Sequence, residues 1–149
     1  MTMSQVDLFS RLQRHIDWRA RMLDQGRYQA LASSYCLPVH VQLGSFSFTI
    51  KTREDLILSM HRKRLGLLRH GLSLPKPRLL AHDLHPHQGV RRVWIQWDAE
   101  REGEHHDSLS IFGLMEQDRD FLLCSMEYKT MLLPEFEKPS AHRKLRNSR

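Results

Sequence analysis

The pattern of hydrophobic and polar positions predicts a run of strands in the second half of the chain. Residues 90–97 alternate apolar and polar side chains, and so do residues 122–129. Alternation at period two is typical of a half-buried antiparallel strand. Residues 108–115 are more apolar, as expected of a central strand. Charged turns at 100–107 and 116–120 join the three into a meander, one face of which has to be covered.

Helices in the first half of the chain are the expected cover. Apolar side chains recur at helical spacing between a start at Ser4 and a stop at Gly26, and residues 27–34 predict a short second helix. Thr52 followed by Asp55 indicates the N-cap of a third helix, which ends at Gly71. We expect the apolar residues of this helix on its buried side and its basic residues on the other. The apolar set is Leu56, Ile57, Met60, Leu65, Leu67 and Leu68, and the opposite set is His61, Arg62, Lys63, Arg64, Arg69 and His70.

The remaining strands lie on either side of the third helix. Residues 39–43 and 46–50 alternate and are separated by Gly44-Ser45, which predicts a tight hairpin. Residues 78–85 predict one more strand before the turn at 86–89. The predicted order is helix, short helix, two strands, helix and four strands, which is an α+β arrangement.

This order resembles the nuclear-transport-factor-like superfamily, which includes ketosteroid isomerases, SnoaL-type cyclases and scytalone dehydratase. The resemblance covers about residues 6–132, with local matches in the segment from Leu23-Asp24-Gln25-Gly26 to Tyr35 and in Thr52-Arg53-Glu54-Asp55. It implies three helices packed in a strongly curved, mainly antiparallel sheet, a cystatin-like cone with a cavity at its open end. It also implies a homodimer formed through the sheet.

The catalytic groups of ketosteroid isomerases do not carry over with the resemblance. Those enzymes need a carboxylate base on the first strand, and a tyrosine and a protonated acid that hold the oxyanion. The corresponding positions fall on Gln42 or Leu43, on Arg19, and between Ser110 and Phe112. None of these is a carboxylate or a phenol, so steroid-isomerase chemistry is not expected.

Two residues remain as weak catalytic candidates. His40 and Gln42 share one side of the first strand and form either a polar pair at the cone mouth or a solvent-facing pair. Glu127 most simply faces solvent beside Lys129, and an inward Glu127 would be the best general base. The expected ligand-binding residues are Tyr28, Tyr35, His40, Gln42, Trp94, Phe112, Met126 and Tyr128.

Histidines and cysteines do not predict a metal site or a disulfide. Zinc requires three or four converging ligands, whereas we expect His105 and His106 to diverge in a charged turn and the histidines at 82, 85 and 87 to be surface loop residues. Cys36 and Cys124 are interpreted as small buried hydrophobes. No metal and no cofactor are expected.

Charge and composition indicate the domain bounds, the kind of partner and the cellular location. The 149 residues carry a formal net charge of +6, but five of the lysines and arginines follow Glu137. We expect one domain at 1–137 and a basic, flexible tail at 138–149. Basic residues without interleaved aromatics do not predict a nucleic-acid partner. No apolar run reaches the length of a membrane span and no secretory signal is evident, so a cytoplasmic protein is expected.

The resulting hypothesis is a domain of this superfamily that binds a small hydrophobic molecule in the cone cavity. One alternative is a SnoaL-type cyclase, isomerase or dehydratase that uses His40 or Glu127. The other is a structural subunit of a larger complex. The interior of the cone discriminates between them, because catalysis requires an acid or a histidine inside it.

Overall fold

A computed structural model describes residues 3–130. The helices are α1 (Met3–Asp24), α2 (Tyr28–Ala32) and α3 (Arg53–Arg69). The strands are β1 (Tyr35–Leu43), β2 (Phe46–Ile50), β3 (Lys76–His82), β4 (Val90–Arg101), β5 (Glu104–Gln117) and β6 (Asp120–Tyr128). The predicted boundary between domain and tail, after residue 137, lies outside the described residues. None of the described helices is long and apolar enough to cross a membrane.

The six strands form one curved, unclosed sheet in the order β2-β1-β6-β5-β4-β3. Strands β1 and β6 are parallel, and the other neighbours are antiparallel. The α+β class, with three helices in the N-terminal half and a mainly antiparallel sheet, is therefore confirmed. The hairpin at Gly44-Ser45 is also confirmed, because β1 and β2 pair from Val39 with Ile50 to Leu43 with Phe46.

Several strands are longer than the sequence pattern predicts. Strands β4 and β5 pair as far as Arg101 with Glu104, so the turn expected at 100–107 is only two residues long. The turn expected at 116–120 is likewise only two residues long, Asp118-Arg119, and both of these residues have positive φ angles. Two-residue turns of this geometry match the twist of hairpin strands. The charged side chains that predict turns lie instead on the solvent-exposed ends of strands.

The helices cover one face of the sheet, which we call the inner face, and the opposite face is the outer face. Leu12 and Ile16 of α1 are completely buried against the inner side chains of β3 to β6. A second cluster joins α2, α3 and the inner side of β1 and β2. Tyr35, Met126 and Tyr128 pack against both clusters. The inner face is thus filled by side chains along much of its length.

The buried side of α1 differs from the predicted apolar stripe. Ala20 and Leu23 are only half-buried, whereas the polar residues His15 and Arg19 are buried. Residues 12, 15, 16, 19 and 22 follow a spacing of three and four, so they share one face of the helix. The predicted stripe consists of apolar residues only, so it includes Ala20 and Leu23 and leaves out His15 and Arg19.

The prediction for α3 was wrong at three positions. Leu65 and Leu68 are 40% and 52% exposed, whereas Lys63 lies inward. The inward positions are 56, 60, 63 and 67, which are three or four residues apart and so share one face of the helix. The Thr52 N-cap is confirmed, because its side chain accepts a hydrogen bond from the Asp55 N–H at 3.1 Å.

Candidate functional site

A depression of about 420 Å³ lies between α1 and the turn that joins β5 to β6. We call it the α1 groove, and its lining comprises Arg11, Arg14, His15, Trp18, Arg119, Asp120 and Phe121. The α1 residues of the groove are at positions 11, 14, 15 and 18. This spacing of three and four places them on one side of the helix. The remaining residues come from the turn and from the start of β6. Helix and turn meet only in the folded chain.

The groove carries an excess of positive charge. Arg11 is held by Glu116, whose carboxylate is 3.3 Å away, and its guanidinium lies 5.2 Å from the centre of the Phe121 ring. Within residues 3–130, neither Arg14 nor Arg119 has an ion pair with an acid. Two guanidiniums are therefore left to attract an anion into the groove.

The floor of the groove is a buried pair of polar residues on α1. His15 is 7% exposed and Arg19 is 4% exposed. Arg19 Nη1 donates to Ser34 Oγ at 2.9 Å and lies 3.2 Å from His15 Nε2. A guanidinium has donors and no acceptor, so Nε2 of His15 has to accept this bond, and the ring proton is on Nδ1. Arg19 thereby determines the tautomer of His15.

The second nitrogen of His15 faces the groove. Its Nδ1 is 3.9 Å from Oδ1 of Asp120, which is longer than a hydrogen bond. That oxygen accepts instead from the backbone N–H of Phe121 at 3.0 Å. Burial first, and then the charge of Arg19, lower the pKa of His15 from 6.5 to about 4, against the opposing effect of Asp120. At neutral pH, His15 is an uncharged N–H donor at the bottom of a basic groove.

Arg19 is an unusual buried cation. It has no carboxylate partner within residues 3–130, and its Nη2 atom is buried there without a hydrogen-bond partner. Its guanidinium lies 4.4 Å from the centre of the Tyr35 ring, and this cation–π contact offsets part of the cost of burial. A buried charge without an anion favours the approach of one.

The structure places part of the predicted ligand-binding set on the inner face. Tyr35, Phe112, Met126 and Tyr128 pack into the core there. Tyr28 packs against the second cluster, and its hydroxyl is 3.3 Å from His61 Nδ1. Tyr128 contacts Phe112 and Met126, but none of these side chains lines the α1 groove.

Lys63 joins this inner group and was not predicted to do so. Its ammonium is 3.3 Å from the hydroxyl of Tyr128 and lies over the rings of Trp97 and Tyr128. The nitrogen of Trp97 donates in turn to Ser110 Oγ at 2.7 Å. Trp97 thus packs inside, on the same side of β4 as the buried Val93 and Ile95.

The other predicted residues lie on the outer face. His40, Gln42 and Glu127 line a second depression there, of about 410 Å³, and Trp94 stacks with Arg92 on the same face. His40 Nδ1 is 3.2 Å from Thr49 Oγ1, and Glu127 pairs with Lys129 at 2.7 Å. The candidacy of His40 and Glu127 as catalytic groups depended on their facing the interior of the cone, and the structure places neither there.

The sequence reasoning missed His15 and Arg119 altogether and considered Arg19 only as a replaced tyrosine. The sequence does carry a signal for His15, because His15 and Arg19 are four residues apart and continue the helix face of Leu12 and Ile16. No local signal marks Arg119, which approaches α1 only because the turn between β5 and β6 folds against the helix.

The two cysteines, far apart in sequence, are neighbours in the structure. Leu123 N–H donates to Ser34 O at 2.8 Å, and Tyr35 pairs with Leu123, so Cys36 and Cys124 follow on adjacent strands. Both are free and half-buried. Burial, and then the adjacent Cys36 thiol, raise the pKa of Cys124.

Comparison with known proteins rests on structure. No family model matches the sequence, and no curated protein matches it. Among solved structures, an NTF2-like protein with a cystatin-like fold from Novosphingobium aromaticivorans has a TM-score of 0.60 at 14% identity, over 95% of this chain and 92% of that one. Aln2 from a Streptomyces species has a TM-score of 0.60 at 10% identity, over 96% of both chains. The beta subunit of benzoate 1,2-dioxygenase from Burkholderia mallei has a TM-score of 0.54 at 14% identity, over 86% of this chain and 89% of that one. Similarity at these identities concerns the fold.

Proposed function

We propose that this chain, which has the cystatin-like fold of NTF2-like proteins, binds a small molecule with an anionic group and an apolar body in the α1 groove. The observation that carries the proposal is the buried His15, whose ring lies in the same groove as the guanidiniums of Arg14 and Arg119, neither of which has an acid partner in the described part of the chain. Guanidiniums and a neutral N–H donor together match a carboxylate, sulfonate or phosphate. This proposal differs from the hydrophobic ligand in the cone cavity that the sequence predicts, because none of the predicted ligand-binding residues lines the α1 groove.

Aromatic rings form the apolar part of the groove. The His15 ring stacks on Trp18 with centroids 5.8 Å apart, and it meets the edge of Phe121 at 5.4 Å. A flat ring of a ligand can pack against such a surface while its acidic group reaches the guanidiniums. The volume of about 420 Å³ falls within the range of small-molecule sites.

Binding suits the groove better than catalysis. A general base works best when its pKa lies near the operating pH, and the pKa of His15 is lowered to about 4. Asp120, the one carboxylate among the groove residues, has an 84% exposed side chain. His15 is therefore not suited to remove a proton at neutral pH, whereas both arginines and His15 are suited to hold an anion.

The test is a fluorescence titration with 8-anilinonaphthalene-1-sulfonate, which combines a sulfonate with fused and single aromatic rings. We expect the Arg14→Gln/Arg119→Gln double variant to bind at least about tenfold more weakly, since each lost charged hydrogen bond is worth about 1.5–3 kcal/mol. Raising the salt concentration weakens wild-type binding in the same direction. Arg62→Gln is the matched control, because Arg62 is an exposed arginine on α3. Equal affinity in the double variant and the wild type contradicts the proposal.

A second measurement separates the groove from a general basic surface. The His15→Gln variant removes the imidazole ring that stacks on Trp18, together with its Nδ1–H, while its amide oxygen can still accept from Arg19. We expect weaker dye binding in this variant without loss of the folded circular dichroism spectrum. Unchanged dye binding by His15→Gln assigns the dye to another surface and rejects the α1 groove.

The homodimer implied by the resemblance stays a prediction. The outer face offers Trp94, Ile111 and a depression of about 410 Å³ for such a contact. Light scattering of the Trp94→Arg variant against the wild type tests it, because a buried charge opposes association through this face. A wild-type monomer contradicts the prediction.

A further inference from the structure

We propose that Asp98, His105 and Asp107 bind a divalent transition-metal ion on the outer face of the β4–β5 hairpin. One ligand atom from each residue lies within 4.8 Å of the other two. The site is separate from the α1 groove, because the groove meets β5 and β6 at the turn that lies at the opposite end of β5.

The register of the hairpin brings the three residues together. Asp98 of β4 is the direct partner of Asp107 of β5, and His105 lies two residues before Asp107. Residues two apart on a strand project to the same face. The sequence predicts residues 105 and 106 in a charged turn with diverging side chains. They do diverge, but both lie within β5, so His105 points towards the two aspartates.

The distances suit a shared ion. His105 Nε2 is 3.2 Å from Asp98 Oδ1 and 3.8 Å from Asp107 Oδ2. Two ligand atoms bound to one tetrahedral zinc ion at about 2.1 Å lie about 3.4 Å apart. Small rotations of exposed side chains therefore suffice to complete the geometry, and the fourth position is left to water.

Electrostatics favour a cation at this point. Two like charges directly opposite each other on antiparallel strands destabilise the pair. Within residues 3–130, Asp98 and Asp107 both approach the same nitrogen of His105. A metal ion bound to this nitrogen would contact both carboxylates at once and remove their repulsion.

A supporting hydrogen-bond chain orients one of the ligands. Gln96 Nε2 donates to Asp98 Oδ1 at 2.9 Å, and Gln96 Oε1 accepts from Arg78 Nη2 at 3.0 Å. Partners of this kind hold a ligating carboxylate in position. One imidazole and two carboxylates favour zinc, cobalt, nickel or manganese ions over calcium and magnesium, which prefer oxygen alone.

Isothermal titration of the full chain with zinc chloride, and the visible spectrum of the cobalt complex, test the site at one fixed pH near 7.5. We expect one ion per chain, and an affinity at least about tenfold lower in His105→Ala, Asp98→Asn and Asp107→Asn. His106→Ala is the matched control, because it removes the adjacent imidazole on the other side of the strand, and it should bind within about twofold of the wild type.

Each outcome decides the proposal. Loss of the cobalt spectrum in His105→Ala but not in His106→Ala supports the site. Zinc binding that is equal in the wild type and in all three site variants assigns the ion to other histidines and overturns it, as does a wild type that binds no ion. The three side chains are exposed or half-buried, so the variants should fold, and their thermal unfolding without metal checks this.

Discussion

The buried histidine of the α1 groove makes stability depend on pH in a way that can be attributed to one residue. His15 has a pKa lowered to about 4 in the folded chain, against an ordinary value of 6.5. Between these values the unfolded chain binds a proton at His15 that the folded chain does not bind. Protonation therefore favours unfolding, and stability falls as the pH is lowered through this window.

The size of the effect follows from the two pKa values. Lowering the pH from 8 to 5 costs about 2 kcal/mol, and below pH 4, where both states are protonated, the loss reaches about 3 kcal/mol. His15 is 7% exposed, so solvent screening reduces this little. The perturbation is His15→Gln, whose amide oxygen can still accept from Arg19 but which does not titrate.

Urea unfolding followed by circular dichroism at pH 8, 6.5 and 5 measures the effect. We expect the stability difference between the wild type and His15→Gln to shift by about 2 kcal/mol over this range, with the variant losing less. His85→Gln, which replaces an exposed loop histidine, is the control and should follow the wild type. Parallel pH profiles for wild type and His15→Gln would refute a buried neutral imidazole at this position.

Three further predictions concern packing and register. Gly113→Ala places a Cβ against Ser125 Oγ and 3.0 Å from Val90 Cγ1, so we expect a loss of about 1–3 kcal/mol in urea unfolding, with partial recovery when Ser125→Ala is added. If Ser125→Ala brings no recovery, the contact is not the cause. Thr52→Ala should lower the free energy of unfolding by about 1 kcal/mol, whereas Thr52→Ser keeps the cap, and an equal effect of both would contradict the N-cap. The adjacency of Cys36 and Cys124 predicts that diamide forms an intramolecular disulfide, since neighbouring strands lie about 4.8 Å apart, within reach of such a bond. Mass spectrometry of proteolytic peptides detects the link, and its absence in a monomeric oxidised chain would argue against the parallel pairing of β1 and β6.

Much of the fold could be predicted because its signals are local. The period of two in β1 places Val39, Val41 and Leu43 inward and leaves His40 and Gln42 outside, as the structure has them. The Thr52 cap and the Gly44-Ser45 turn depend on residues within a few positions of one another. Signals of this kind are carried by propensity and pattern, and they do not require knowledge of what packs where.

The alternation of inward and outward side chains is interrupted in β6 by a β-bulge. In β6, Leu123 pairs with Leu114 and Ser125 pairs with Gly113, so Cys124 is an extra residue opposite β5. Leu123 and Met126, three positions apart, consequently both pack in the core. A strict period of two would place them on opposite faces of the sheet, and no local sequence pattern predicts the bulge.

By itself, the sequence determined the element order, the Thr52 N-cap and the inward faces of the regular strands, since these follow from neighbours along the chain. The tertiary structure decided the candidate sites, because their members lie far apart in sequence. His15 meets Asp120 only when the turn between β5 and β6 reaches α1, and Asp98 faces Asp107 only in one register of the β4–β5 hairpin. Burial then determines the chemistry, since the same imidazole that would titrate near pH 6.5 in the unfolded chain is a neutral donor beside Arg19.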